Sequence, residues 1–413
     1  MSRILASIRE ILALERNPLV LCTTVILLNL AMNLYGPFLS LYLISLETPM
    51  ELLGVIFSIF GFVNALVVLV AGHFSDRYGR KNIVVLSHVI SAISLLPLYW
   101  VGLWPIAVAC LLGMNFGRIF YSPAATAIVA DSLPQEKRAT GFGTMATIAY
   151  WGAVFAPIIG GYLSLGENYR VVFLYASSLI LIMAILRQLL LKETKVKRKR
   201  NIDEGQSSEY LSFIEKLRLI WTSSRSTRAY LVFGIMSSLS GALAGPWFSI
   251  FYQEVISLDT LQIGIISSAF TVSNIIAQIP GGKLSDKIGR KLTILQSLVA
   301  GPLLILGMTQ ATSFTQLLII QIISGSSSGL ASGASFALPT ELVPAEYRGT
   351  ALGVFSFTEG IAGALGSSLG SLIVAYYSFT AHPRGVFYAS ILLSIPSIII
   401  FLAFIKETLK RVQ

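Results

Sequence analysis

The sequence predicts an all-α membrane protein of twelve transmembrane helices in two six-helix, pseudo-symmetric halves. Three observations carry that expectation: an apolar composition, twelve apolar runs of spanning length, and an internal repeat. Of 413 residues, 54% are hydrophobic and 12% charged, whereas a soluble domain carries about 25% charged residues. With a mean hydropathy of +0.76, the chain is excluded from the ordinary soluble enzymes, the disulfide scaffolds and the disordered regulators. Cys22 and Cys110 both sit in apolar runs, where cysteine acts as a small packing residue.

A span needs about 20 apolar residues to cross a hydrocarbon layer of about 30 Å. Proline, glycine and charged clusters bound such runs at 18–44, 53–73, 82–101, 104–130, 139–165, 170–191, 228–256, 261–282, 292–312, 314–340, 349–377 and 384–405. No short apolar core followed by a small-residue cleavage site opens the chain, so no removable signal peptide is read. Placing both termini in the cytoplasm puts almost every Lys and Arg on that side, Arg187 included, and leaves Arg170 and Arg384 outside. The net charge of +10 therefore reports orientation in a cell membrane and contact with anionic lipid, not nucleic acid.

The halves repeat at a fixed spacing. Gly72-His-Phe-Ser-Asp76-Arg77-Tyr-Gly79-Arg80-Lys81 recurs as Gly282-Lys-Leu-Ser-Asp286-Lys-Ile-Gly289-Arg290-Lys291, an offset of 210. The same offset maps Asp131 and Arg138 onto Glu341 and Arg348, Asn64 onto Asn274, and Gly54 onto Gly264. Gly36-Pro37 maps onto Gly245-Pro246 with one residue fewer. Before each first span, helical apolar spacing (Ile4, Leu5, Ile8, Ile11, Leu12; Phe213, Ile214, Leu217, Ile220, Trp221) predicts an amphipathic helix in the interface. The division expected is a half at 1–191, a basic cytoplasmic linker at 192–227 and a second half at 228–413. Two parallel six-span repeats joined by an inner loop are the pattern of a secondary transporter.

In physical terms, Gly79 and Gly289 allow tight turns at the membrane surface. Asp76 can accept bonds from helix N-termini or arginines, Arg80 can pair with Asp131, and Arg290 with Glu341. In span five, Gly152-Ala-Val-Phe-Ala156-Pro157-Ile-Ile-Gly160-Gly161 combines small residues for close helix contact with a kinking proline. Both motifs resemble the major facilitator superfamily over essentially the full length of the chain. The loop matches that family's G-x-x-x-D-[RK]-x-G-R-[RK] hallmark in both halves. The span-five run is similar to G-x-x-x-G-P-x-x-G-G of its twelve-span drug:proton antiporter branch, with Ala156 replacing a glycine. The resemblance implies that the loop pairs latch the cytoplasmic side, with Asp76 near the start of span eleven. It also records two departures. The branch usually carries its span-four arginine one turn earlier, where Gly113 stands, and many members have an acid in span one, where this chain has Asn29 and Asn33.

Arg118 and Glu359 are the ionisable residues deep within spans, histidine aside. Arg118 lies 13 residues before Asp131, about 20 Å from the surface, and Glu359 lies 11 past Arg348, about 16 Å. Each costs about 2.5–3.5 kcal/mol unless paired or facing water, so a shared aqueous cavity is expected. Glu359 is assigned as proton carrier and Arg118 as its modulator or as the anchor of an anionic substrate group; a static ion pair is the plainer alternative. Asn33, Tyr35, Asn115, Tyr121, Ser237, Ser328 and Ser332 are candidate cavity residues.

Gly325-Ser-Ser327-Ser-Gly329 fits G-x-S-x-G but lies in an apolar span, away from any strand-to-helix turn. His73, His88 and His382 are too scattered for a metal site, and no P-loop occurs. The expectation is a non-enzymatic, monomeric transporter without cofactor or metal. It takes a small-molecule substrate and couples to protons, exporting amphipathic compounds by alternating access. The alternative is symport or uniport of an organic anion into the cell; a receptor or lipid-handling protein on the same scaffold ranks third.

Overall fold

The computed structural model describes residues 16–132, 135–194, 218, 221–222, 224–344 and 347–408, with the side chains at 68–73, 75–76, 130, 135–148 and 350 outside that set. The first amphipathic helix expected before a span, most of the second and most of the linker fall outside the described residues. Those residues form long helices and contain no strand. In order they are α1 (Arg16–Tyr35), α2 (Met50–Tyr78), α3 (Arg80–Leu95), α4 (Trp104–Ser132), α5 (Gln135–Leu163) and α6 (Arg170–Leu190), then α7 (Arg225–Ala244), α8 (Thr260–Ile288), α9 (Arg290–Gln310), α10 (Phe314–Glu341), α11 (Arg348–Tyr377) and α12 (Gly385–Phe404). Among the described residues, eleven helical stretches are apolar and long enough to span a bilayer, and α5 adds the shorter apolar stretch Ala149–Leu163.

Local chemistry sets the breaks. α1 ends where Gly36-Pro37 forces a tighter turn, Gly36–Phe38, before the chain continues through Leu39–Ser45. Gly245-Pro246 does the same after α7. α2 and α3 meet at Gly79 (φ +95°), and α8 and α9 at Gly289 (φ +108°). This left-handed backbone is open to glycine at little cost.

The chain divides into two compact units, one of Met1–Thr48, Leu66–Val196 and Leu258–Ser268, the other of Pro49–Ala65, Lys197–Ser257 and Ala269–Gln413. In the first, α1 packs on α5 and α6, and α3 on α4 and α6. In the second, α7 packs on α11 and α12, and α9 on α10 and α12. Each pairing in one unit thus recurs six helices later in the other. The cores repeat too. Leu21, Val84, Ala124, Ile128 and Leu191 cluster in the first unit, and Ile294, Ala334, Leu338 and Ile405 in the second, with Tyr230 packed against them.

The units trade segments relative to the sequence repeat: the first part of α2 belongs with the second unit, and the first part of α8 with the first. Glycine makes both contacts. A Cβ on Gly54 of α2 would lie 2.0 Å from the Ser367 carbonyl oxygen of α11, and one on Gly264 of α8 would lie 2.2 Å from the Pro157 carbonyl oxygen of α5. Both partners obey the offset of 210. The contacts are backbone against backbone, which only a residue without a side chain permits.

Candidate functional site

At the repeated loops, Arg80 at the start of α3 pairs with Asp131 near the end of α4 and also donates to the Ala127 carbonyl at 3.2 Å. In the second unit Arg290 bonds Asp286, Glu341 (3.4 Å) and Ser285 (3.0 Å). Arg77 and Lys81 lie at the same end. Gly72 and Asp76 are in α2, with Asp76's side chain outside the described set.

A further carboxylate completes each loop. Glu193 accepts from the backbone N–H groups of Arg80 (3.1 Å) and Lys81 (3.2 Å), and Glu407 from those of Arg290 and Lys291 (both 3.0 Å). Each thus caps a helix N-terminus, where orphan donors and the helix dipole favour an anion. Neither carboxylate belongs to the repeated loop motif itself. Their signal is the tripeptide Lys192-Glu193-Thr194, repeated as Lys406-Glu407-Thr408 at an offset of 214. Neighbouring hydrogen bonds confirm that register. Asn17 exchanges bonds with the Lys192 backbone, and Ser226, its equivalent at offset 209, accepts from the Lys406 N–H.

The span-five motif is a packing seam with two faces. Would-be Cβ atoms on Gly152 and Gly160 fall 2.3 and 2.0 Å from the carbonyl oxygens of Ile26 and Leu34 on α1. Gly161 meets Thr260 of α8, whose hydroxyl donates to the Gly161 carbonyl at 2.8 Å. Ala156 is fully buried. Gly325 and Gly329 likewise seat α10 against the Phe270 and Asn274 carbonyls of α8, so the G-x-S-x-G string serves helix contact.

Inside the spans, Glu359 on α11 lies against α7. A Cβ on Gly234 would stand 2.5 Å from its Oε1, so the missing side chain is the space the carboxyl occupies. Arg118 on α4 is half-buried, and its guanidinium reaches the Met32 sulfur on α1 at 4.0 Å. Among the described residues of its unit, no carboxylate lies within ion-pair distance of Arg118. Several candidate cavity residues are otherwise engaged. Tyr35 is buried, donates to the Met114 sulfur at 3.6 Å and packs its ring on Phe173 at the α1–α6 contact. Asn115 is buried as well, and the Asn33 amide donates to the Asn29 carbonyl one turn earlier. Ser328 is exposed, whereas Ser237, Ser332 and Tyr121 are half-buried.

The largest departure from the sequence reading is Arg187. Placed among the cytoplasm-facing cations by its closeness to the end of α6, it is 0% exposed. Its guanidinium donates to Thr24 of α1 (2.8 Å), His88 of α3 (3.2 Å) and Tyr121 of α4 (3.4 Å).

The chain matches the family described as the Major Facilitator Superfamily twice, over residues 21–240 and 229–412. It is 25% identical over 361 residues to the multi-drug resistance efflux pump PmrA homolog of Lactococcus lactis subsp. lactis, covering 84% of this chain and 86% of that protein. It is 26% identical over 387 residues to the multidrug resistance protein MdtG of Salmonella arizonae, covering 89% and 91%. In fold it is similar to the nucleoside transporter NupG (TM-score 0.79, 17% identity, 94% of this chain and 100% of that one). The same holds for a D-xylose-proton symporter (TM-score 0.74, 16% identity, 95% and 98%). The duplicated packing, the paired loop motifs and the double match agree: the chain belongs to the Major Facilitator Superfamily.

Proposed function

We propose that this multi-pass membrane protein is a secondary active transporter that exports small amphipathic organic compounds by alternating access, driven by inward proton flow. The observation that carries the coupling is Glu359, a carboxyl held within a span in the notch left by Gly234. A carboxyl in that setting exchanges a proton when its surroundings change from wet to dry. The multidrug names of the PmrA homolog and MdtG, similar over nearly the whole chain, support the export reading.

In this reading both termini and the linker at 192–227 face the cytoplasm, as the distribution of Lys and Arg asks. The halves at 1–191 and 228–413 rock as pseudo-symmetric bodies, and anionic lipid contacts the basic inner surface. The Arg80–Asp131 and Arg290–Glu341 clusters, with Asp76, act as the inner latch. The protein works as a monomer, without cofactor or metal.

In liposomes carrying an imposed pH gradient, substrate and protons are expected to move in opposite directions. Glu359→Gln abolishes the pH-driven flux and leaves substrate exchange intact; undiminished coupled flux in that variant removes Glu359 as carrier. A second reading, uptake of an organic anion anchored by Arg118, is favoured by that residue's lack of a described carboxylate partner in its unit. Substrate and protons moving together would select it.

A further inference from the structure

The two units build the same location from opposite chemistry. In the first, Arg187, Thr24, His88 and Tyr121 come together between α6, α1, α3 and α4. Their equivalents in the second, by the offsets established above, are Phe401, Phe233, Leu298 and Ala331. Phe401 and Phe233 are buried with ring centroids 4.8 Å apart, and Leu298 packs against their cluster. The fold at this place is therefore satisfied by apolar packing, and the arginine is not a requirement of the architecture.

A fully buried guanidinium without a carboxylate is costly. Among the described residues, Arg187 has none within ion-pair distance. All its acceptors are neutral, and two of them have spent their own protons. The Thr24 hydroxyl donates to the Val20 carbonyl at 2.6 Å. The His88 Nδ1–H donates to the Val84 carbonyl at 2.6 Å, which leaves Nε2 as a neutral acceptor. Tyr121 differs. Its oxygen accepts from Arg187 and its ring lies 4.7 Å beneath the guanidinium carbon, yet its O–H proton has no described acceptor. A hydroxyl that accepts from a cation becomes a stronger donor. Arg118 stands three residues earlier on α4, one turn away on the same side of the helix.

We propose that the Arg118 guanidinium and the Tyr121 O–H form a two-point site for the acidic group of an organic anion, a carboxylate or sulfonate on an aromatic or aliphatic body. Arg187, held by Thr24 and His88, is a positioning residue that fixes and polarises the Tyr121 hydroxyl. The proposal rests on the second reading above, an organic anion anchored by Arg118, and adds the Tyr121 hydroxyl as the second contact to its acidic group.

The test is equilibrium binding to the purified full-length protein by calorimetry, which needs no flux. Naphthylacetate and naphthalenesulfonate serve as probes, with naphthylacetamide as the uncharged control. The wild type is expected to prefer the acids to the amide by about tenfold or more. Tyr121→Phe, which keeps the ring, should cut that preference several-fold, and Tyr121→Phe with Arg118→Gln should erase the rest. Arg187→Phe copies the residue found in the second unit and should weaken acid binding too. In the Tyr121→Phe background it should add nothing, because both act through one hydroxyl. Equal affinity of the wild type for acids and amide, or an unaltered preference in Tyr121→Phe, overturns the site. An Arg187→Phe effect of the same size with and without the hydroxyl overturns the positioning role. Tight acid binding without any proton-linked flux would sink the coupled-export reading and leave this site standing.

Discussion

Gly234 is the residue on which the proposed proton carrier depends most directly. With no side chain, it leaves the Glu359 carboxyl against the α7 backbone. A methyl group there would occupy the place of Oε1. Gly234→Ala is therefore expected to push the carboxyl out of its notch while improving α7's intrinsic helix propensity by up to about 1 kcal/mol. Stability should hold or rise while pH-driven transport falls at least tenfold and its pH profile shifts. A variant with a normal pH profile would show that the notch does not set the behaviour of Glu359. Gly79 and Gly289 answer to a different demand. Each combines a left-handed φ with a carboxylate drawn close, Glu193 Oε2 at 2.7 Å and Glu407 Oε2 at 2.3 Å from a would-be Cβ. The loop motif could be read for its turn, but the carboxylates that use the turn lie more than a hundred residues away in sequence.

At the scale of the helix, the N-termini of α3 and α9 are held by the same device. Glu193 and Glu407 each accept from two successive backbone N–H groups. Neutralising one weakens its interaction with the helix dipole without removing the side chain, a loss of about 0.5–1 kcal/mol. Glu193→Gln should lower the melting temperature in detergent by a few degrees, and Glu193→Gln with Glu407→Gln should lower it about additively, since the caps lie in separate compact units. Strong non-additivity would mean that the two caps act as one element. Most helices were legible beforehand because an apolar run of spanning length bounded by charge has few alternatives in lipid. The caps were overlooked because α6 and α12 follow an offset of 214, against 210 for the loops. Arg187 was misplaced for a related reason: its position in the last turn of α6 suggested a solvated cation, and only packing shows that it turns inward.

For the whole molecule, the exchanged ends of α2 and α8 are where the compact units depart from the sequence repeat. The Val55 N–H donates to the Ser371 hydroxyl at 3.1 Å, one residue beyond the Gly54 contact. If α2 leaves α11 during each cycle, a disulfide between Val55→Cys and Ser371→Cys should arrest transport, and reduction should restore it. Cys22 and Cys110 are replaced by alanine in that experiment. Full transport in the oxidised, cross-linked protein would show that this contact persists through the cycle. The seam is symmetric to a degree that composition never revealed. Gly54 and Gly264 could be aligned from sequence, but their partners, Ser367 and Pro157, share the offset without sharing a residue type.

The sequence by itself determined the solvent, the spans, the duplication and the family, because hydrophobic length and a fixed repeat survive without any knowledge of neighbours. Tertiary structure alone decided which polar groups face one another. It gathered Arg187 with Thr24, His88 and Tyr121, buried Tyr35, and set Glu359 against a glycine. The physical reason is that burial of a charge depends on the helices packed around it, and a linear pattern specifies the depth of a residue far better than its direction.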